Sequence, residues 1–169
     1  MTQQEIIQKF LTRVSYRDGH FTWIDSGGRK DLIGLTCGAV SPSDGYVYIK
    51  FMQRRFLAHR AVFVLHHGFY PDEIDHINRV RSDNRIENLR DATSHSYNLG
   101  NQSKQSREKT SIYKGVCWDK SRGKWMAGIK FEGKRYNLGR FSSELDAAIA
   151  YDEASVRLFG EYSHNNKAQ

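Results

Sequence analysis

The sequence predicts an α+β protein made of two parts with a short connection between them. Short runs of aromatic and β-branched residues, each next to a turn signal such as Asp18-Gly19, indicate antiparallel strands. Residues 100–111 contain no large apolar side chain, which is typical of a linker. We therefore expect an N-terminal domain over 1–102, a basic linker over 103–112, and a three-stranded antiparallel sheet packed on one helix over 113–166.

The expected elements follow from hydrophobic periodicity and from glycine, proline and capping signals. In the first part they are a helix over 2–11, strands over 12–17, 20–24, 46–51 and 53–57, a helix over 58–67, short strands over 73–77 and 89–92, and a helix over 95–101. In the second part they are strands over 113–118, 124–131 and 134–141, then a helix from 142 to about 159.

The charge of the chain is unevenly distributed. The net charge is +7 with a pI near 9.5, which favours a polyanionic partner. Residues 1–99 carry 13 Lys and Arg against 11 Asp and Glu, whereas residues 100–140 carry 11 against 3. Because the basic segment also contains Trp118 and Trp125, it fits a nucleic-acid surface, and a solvated basic face without a partner is the alternative.

Two cysteines limit the metal and redox chemistry. Cys37 and Cys117 are far apart and neither belongs to a Cys-x-x-Cys pair, so we expect no structural zinc and no disulfide framework. The polar N-terminus lacks the order of a signal peptide, and no apolar run approaches the ~20 residues of a membrane span. We expect a cytoplasmic protein with no membrane partner.

One short segment carries the chemistry of phosphodiester hydrolysis. Asp75 and His76 are adjacent, Asn88 follows twelve residues after the histidine, and Asn98 ten residues later. A histidine can act as general base at neutral pH, since its ordinary pKa is about 6.5. A carboxylate and an amide oxygen are the ligands that Mg²⁺ accepts in proteins, with phosphate oxygens and water completing the shell. The pattern indicates a one-metal nuclease.

These residues resemble the HNH family of ββα-metal nucleases, in particular the homing endonucleases encoded by phages and introns. The resemblance covers 74–78, 83–90, Thr93 and Asn98, with further similarity at 58–62 and 67–68. It implies a ββα-metal core at about 72–102, extra strands before that core, and a bacterial host cell.

The resemblance also implies residue roles. His76 would be the general base, Asp75 and Asn98 would hold Mg²⁺ or Mn²⁺, and Asn88 would be the structural asparagine of the motif. From its position at the start of the second strand, Asn88 could use its amide to hold the loop and to fix the ring of His76. Asn98 stands where other branches often have histidine, and His95 is the alternative. For Arg60 the resemblance implies contact with the phosphate, and a surface salt bridge is the alternative.

A second resemblance covers residues 113–166. Lys114-Gly115-Val116, Lys124-Trp125, Leu138-Gly139-Arg140-Phe141 and the alanines of 147–150 look like the plant APETALA or ethylene-response-factor DNA-binding domain. It implies a sheet in the major groove of double-stranded DNA, braced by the helix behind it. We expect DNA contacts from linker and sheet residues: Lys104, Lys114, Trp118, Lys124, Lys130 and Arg135. Lysines stand where the plant family has arginines, so we expect weaker base readout and more phosphate contact.

Two functions remain to be separated. The first is a metal-dependent, site-directed DNA endonuclease of the homing type, acting as a monomer rather than a dimer. The second is a non-cleaving DNA-binding regulator with a degenerate nuclease domain.

Overall fold

The computed structural model describes residues 1–92, 95–102 and 110–166, without the side chains of His95 and Ser96. The chain divides into two compact units, Met1–Thr93 and Ser94–Gln169. Together they form the predicted α+β architecture. Within the described ranges, none of the helices combines the length and apolar character that crossing a bilayer requires.

The first unit contains two helices and three small antiparallel sheets. Its elements are α1 (Gln3–Leu11), β1 (Val14–Arg17), β2 (His20–Trp23), β3 (Ala39–Val40), β4 (Val47–Phe51), β5 (Arg54–Leu57), α2 (Ala58–His67), β6 (Ile74–His76) and β7 (Leu89–Asp91), with 3₁₀ turns at Lys30–Leu32 and Ile86–Asn88. The strands pair as β1–β2, β3–β4–β5 and β6–β7. The sequence patterns do not predict β3 or the 3₁₀ turns.

The core of this unit is centred on Phe10 of α1, whose side chain is fully buried. Its ring packs edge-on against Phe21, Trp23, Phe51 and Phe56, at centroid distances of 5.2 to 5.7 Å. Such aromatic pairs contribute about 0.5–1.5 kcal/mol beyond the area that they bury. The amphipathic first helix therefore ties the β1–β2 hairpin to the β3–β4–β5 sheet.

Two helix ends of this unit follow local capping rules. Thr2 and Glu5 form a capping box at the start of α1, with reciprocal side-chain bonds to each other's backbone N–H groups. Helix α2 ends at Gly68, which adopts the left-handed conformation at φ 78° and donates its N–H to Val64 O. Because the helix ends there, the chain can turn at Pro71 and continue into β6.

The second unit is a sheet packed on a long helix. Its elements are α3 (His95–Asn101), β8 (Val116–Asp119), β9 (Lys124–Phe131), β10 (Lys134–Phe141), α4 (Glu144–Phe159) and a 3₁₀ turn at Gly160–Tyr162. The strands pair antiparallel in the order β10–β9–β8. Ser143 caps α4 by accepting from the N–H groups of Leu145 and Asp146.

Small residues allow α4 to lie close to the sheet. Ala147 and Ala148 are fully buried with Val116 and Ala127 in one cluster, and Trp125 is half-buried against it. A second cluster joins Ile129, Tyr151, Ala154 and Phe159. Trp125 thus contributes to the core.

Helix α3 groups with the second unit. Tyr97 packs against Tyr162 at a ring centroid distance of 4.9 Å, and the His164 N–H donates to Gly100 O at 3.2 Å. The predicted linker overlaps 103–109, which lie outside the described residues, so the domain boundary at residue 102 remains a prediction.

Candidate active site and nucleic-acid interface

The Asp75-His76 pair lies on β6, in a short hairpin that is covered on both sides. Asp75 is 4% and His76 5% exposed, and the preceding Ile74 is also buried. Since successive side chains of a strand point to opposite faces, burial of all three requires protein on both faces. Two ionisable groups next to each other are thus held in a largely dry environment.

Asp75 is held by an arginine that the sequence analysis missed. Arg90 lies directly opposite it on β7 and donates to Asp75 Oδ2 from Nε at 2.8 Å and from Nη2 at 2.7 Å. A buried carboxylate is costly unless a cation and hydrogen bonds compensate it. Arg90 supplies both, and carboxylate oxygens such as those of Asp75 are the kind of ligand that a hard divalent cation accepts.

His76 has a defined hydrogen-bond partner in Asn84. The distance from His76 Nε2 to Asn84 Oδ1 is 3.1 Å. A carbonyl oxygen only accepts, so Nε2 carries the proton and the basic lone pair is on Nδ1. Burial lowers the pKa of His76, and the bond to Asn84 opposes that shift. The ring is therefore neutral at physiological pH and able to accept a proton.

Two further rings enclose His76. His59 of α2 meets it edge-on at a centroid distance of 5.1 Å, and Tyr46 lies 5.9 Å away. Among the described residues, His59 Nδ1 is the buried side-chain nitrogen or oxygen without a hydrogen-bond partner. Burial, with some repulsion from His76, lowers the pKa of His59 to about 3. A neutral His59 adds no positive charge beside His76.

Asn88 braces the loop between β6 and β7. Its Oδ1 accepts from Asn78 N at 2.9 Å, and its Nδ2 donates to Asp83 O at 2.8 Å. Asp83 in turn receives Arg85 Nη2 at 2.7 Å, and Asn78 Nδ2 at the same distance. The amide of Asn88 is thus directed at the backbone of the loop, and the loop places Asn84 next to His76. A direct role of Asn88 in fixing the His76 ring stays a prediction.

The expected metal ligands fall in different units. Asp75 lies in the first unit, and Asn98 lies half-buried on α3 of the second. Carboxylate and amide oxygens are the kind of ligand that a hard cation prefers. Within the described residues there is no group of three or more His, Cys, Asp and Glu side chains placed to hold a metal. The joint role of Asp75 and Asn98 therefore stays a prediction, as does the alternative at His95, whose side chain is outside the described part.

Arg60 makes its contacts inside the first unit. Its Nη1 donates to Pro71 O at 2.5 Å and its Nη2 to Asp72 O at 2.9 Å, while the guanidinium lies over the Tyr70 ring. These bonds fix the turn that leads into β6. A direct contact of Arg60 with phosphate stays a prediction.

The second unit presents a basic face on the side of its sheet away from α4. Lys130 is paired with Arg135 across β9 and β10, and both are exposed. Lys124 lies six residues before Lys130 on the same strand, and therefore on the same face. The neighbouring Ala127 and Ile129 are buried toward α4, which identifies the lysine side as the outer one.

Arg140 is an outer-face residue that the sequence analysis did not select. It lies opposite Met126, beyond the irregularity between Asn137 and Gly139. Its Nε donates to Asp119 Oδ2 at 2.9 Å. Hydrogen bonds from Ser121 and Arg140 lower the pKa of Asp119, so this carboxylate stays charged beside the basic face. The bulge that places Arg140 on this face depends on local backbone geometry.

Two of the expected DNA-contacting residues, Trp118 and Lys114, have other surroundings, and a third is not described. Trp118 lies opposite Trp125, with their rings 5.0 Å apart, and is thus on the helix side of the sheet. Lys114 Nζ donates to Gly100 O at 2.8 Å and lies 5.8 Å from the Tyr151 ring centroid. Lys104 lies outside the described residues. Contacts of these three with DNA stay predictions.

The structure thus has a buried Asp75-His76 pair in its first unit and a basic sheet face in its second. Comparison with known families finds two matches along the chain. Residues 56–98 match the family model for HNH endonuclease, and residues 111–161 match the one for the AP2 domain. The chain thus combines an HNH endonuclease domain with an AP2 DNA-binding domain.

Curated relatives match the AP2 part. Dehydration-responsive element-binding protein 2D of Arabidopsis thaliana is 43% identical over 56 residues, which are 32% of this chain and 27% of that protein. An AP2/ERF and B3 domain-containing transcription factor of the same plant is 46% identical over 56 residues, covering 32% and 16%. The chain thus spans less than a third of the length of these relatives. No solved structure matched the chain.

Proposed function

We propose that the protein is a metal-dependent DNA endonuclease in which His76 is the general base. The observation that carries this proposal is the buried Asp75-His76 pair, within the segment that matches the HNH endonuclease family. The bond from Nε2 to Asn84 leaves the lone pair of His76 on Nδ1. That geometry suits an imidazole that removes a proton from water.

The chemistry is hydrolysis of a phosphodiester. His76 Nδ1 accepts a proton from a water molecule. The oxygen of that water forms a bond to phosphorus, and the bond from phosphorus to the leaving oxygen breaks. Asp75 and Asn98 would hold the divalent cation, Mg²⁺ or Mn²⁺. When bound, the cation would neutralise charge on the phosphate and on the leaving oxygen. Arg90 holds the Asp75 carboxylate by hydrogen bonds, and Asn88 keeps the intervening loop in place.

The AP2 domain would direct the nuclease to its DNA. Lys124, Lys130 and Arg135 share the outer face of the sheet, and a sheet of this kind fits the major groove. Homing-type action by a monomer on a long asymmetric site is the finer form of the proposal. It is supported by the resemblance of the Asp75–Asn98 region to homing endonucleases.

The test is cleavage of supercoiled plasmid DNA with Mg²⁺, with Mn²⁺, or with EDTA. We expect metal-dependent nicking or linearisation by the wild type, and loss of about 10²–10⁴-fold in rate for His76→Ala. His67→Ala, at the exposed end of α2, is the matched control and should cut normally. Equal cutting by His76→Ala, or no cutting by the wild type, would refute the proposal.

A non-cleaving DNA-binding regulator is the second candidate. It is favoured by the curated relatives of the AP2 part, whose names describe element-binding proteins and a transcription factor. Such a protein would bind DNA equally well with EDTA and would leave plasmid DNA intact with either metal.

A further inference from the structure

Asn84 is a buried polar residue that neither the motif nor the family match assigns a role. It is 1% exposed, and its side-chain oxygen lies 3.1 Å from His76 Nε2. Burying an amide is unfavourable unless its hydrogen bonds are formed. Buried hydrogen bonds that are formed fix the geometry of the groups they join. In this case the specified geometry is that of the His76 ring.

The backbone of Asn84 is held by the first hairpin of the chain. Tyr16 of β1 donates its hydroxyl to Asn84 O at 3.1 Å. Gly19, in the β1–β2 turn at φ 84°, lies so close that a Cβ there would be 2.9 Å from Arg85 N and 3.1 Å from Asn84 C. A side chain at position 19 would therefore collide with the loop backbone. The hairpin and the loop fit together through these two contacts.

This hairpin lies outside the segment that matches the nuclease family, which begins at residue 56. The loop has a second support on its other side, where Asn88 Nδ2 donates to Asp83 O. Asn84 is thus fixed from two directions: by Asn88 within the matched segment, and by Tyr16 from outside it. The side-chain hydrogen bond from His76 to Asn84 links this support to the candidate base.

We propose that Asn84 is a positioning residue for His76, and that Tyr16 and Gly19 secure it. Asn84 Oδ1 accepts the Nε2 proton and thereby selects the tautomer with the lone pair on Nδ1. The inference rests on the proposed role of His76 as the general base. It extends the catalytic unit to an N-terminal hairpin that contributes no residue to the metal or to the base.

The first test reads the tautomer directly and does not depend on activity. In full-length protein labelled with ¹⁵N-histidine, long-range ¹H–¹⁵N correlation spectra distinguish the two neutral tautomers, and His76→Ala assigns the signals. We expect the wild type to show His76 protonated on Nε2. Asn84→Leu, which removes the acceptor, should give a mixture, and Asn84→Asp, which keeps an acceptor oxygen, should retain the Nε2–H form. A wild-type Nδ1–H form, or an unchanged tautomer in Asn84→Leu, would overturn the inference.

The second test separates positioning from folding. Tyr16→Phe keeps the ring but removes the hydroxyl, and we expect kcat to fall several-fold with KM for DNA unchanged. Asn84→Leu should lower kcat by about 10²-fold or more, the lower end of what a well-placed base contributes. Tyr70→Phe is the control, because its hydroxyl donates to Gln3 Oε1 at 3.0 Å, in a contact that does not involve Asn84. Equal effects of the two tyrosine variants on kcat would contradict the role of Tyr16.

The two proposals fail in different ways. If the wild type does not cut DNA but the tautomer responds to Asn84→Leu as expected, the positioning role stands and the nuclease function is refuted. If the wild type cuts and the tautomer does not respond, the nuclease function stands and the positioning role is refuted.

Discussion

Arg90 lies directly opposite Asp75 across the β6–β7 pair and donates two hydrogen bonds to the same carboxylate oxygen. The side chain of Asp75 is 5% exposed and that of Arg90 15%. Removal of one partner from such a buried pair leaves an uncompensated charge, which costs about 3–5 kcal/mol. Arg90 thus compensates the buried carboxylate of Asp75.

Arg90→Met should therefore lower the free energy of unfolding by about 3–5 kcal/mol, measured by urea denaturation. Arg29→Met is the matched control, because Arg29 makes an ion pair of the same 2.7 Å length with Asp31, with both side chains more than 60% exposed. The control should leave stability nearly unchanged. Asp75→Asn in the Arg90→Met background should restore part of the loss, since it removes the unpaired charge. Equal stability of the two arginine variants would show that the buried pair is not required.

His59 should make stability depend on pH below neutrality. Burial lowers its pKa in the folded protein to about 3, against an ordinary value of 6.5. Between these values the unfolded chain binds a proton at this position and the folded chain does not. The stability contributed by a neutral His59 is therefore fully present above pH 6.5 and is lost as the pH falls toward 3.

The measurement is the free energy of unfolding from pH 7 to pH 4, compared between the wild type and His59→Phe. The wild type should lose up to about 1.4 kcal/mol per pH unit more than the variant over this range. Parallel pH profiles for the two proteins would mean that His59 titrates normally in the folded state.

Much of the fold follows from local sequence signals. Asp18-Gly19 predicts the first hairpin, and both residues adopt positive φ there. Gly68 predicts the end of α2, and the alanines of 147–150 predict a helix that packs closely on a sheet. These signals act within a few residues of the structure they specify, so a single sequence is sufficient to read them.

The contacts that complete the site are of another kind. Arg90 reaches Asp75 only through the register of two short strands, and Asn84 reaches His76 only through a folded loop. The engagement of Lys114 with the end of α3 depends on a contact between residues fourteen apart. Each of these contacts depends on the tertiary structure, and neither composition nor residue spacing predicts which side chains meet there.

Gly115 should be the glycine of the second unit that least tolerates a side chain. A Cβ at this position would lie 2.0 Å from Tyr151 Cδ2 and 2.9 Å from Gly128 O, at φ 75°. We expect Gly115→Ala to combine the strain of the left-handed backbone with overpacking, which alone costs about 1–3 kcal/mol. Gly123→Ala is the matched control, since Gly123 has φ 59° and no heavy atom within 4 Å of the added Cβ. Thermal unfolding monitored by tryptophan fluorescence should show a much larger loss for Gly115→Ala, and similar losses would mean that only the backbone conformation matters.

The salt dependence of DNA binding should separate the lysines of the second unit by their surroundings. If the basic surface makes about six phosphate contacts, affinity should fall by ~10³-fold or more between low and moderate salt. Lys130→Met and Arg135→Met should each weaken binding and reduce the slope of log K against log salt by about 1, because both side chains are exposed on the outer face.

Lys114→Met should not change the salt dependence of DNA binding, unlike the variants of the exposed outer face. Its ammonium donates to Gly100 O and Leu99 O, so it is engaged within the second unit rather than directed at solvent. We therefore expect an unchanged salt slope and a loss of thermal stability, because carbonyl groups at the end of α3 lose their cationic donor. Fluorescence anisotropy titrations of a labelled duplex, at several salt concentrations, give the slopes. A slope reduced by about 1 for Lys114→Met, with unchanged stability, would show that Lys114 contacts phosphate as the family resemblance implies.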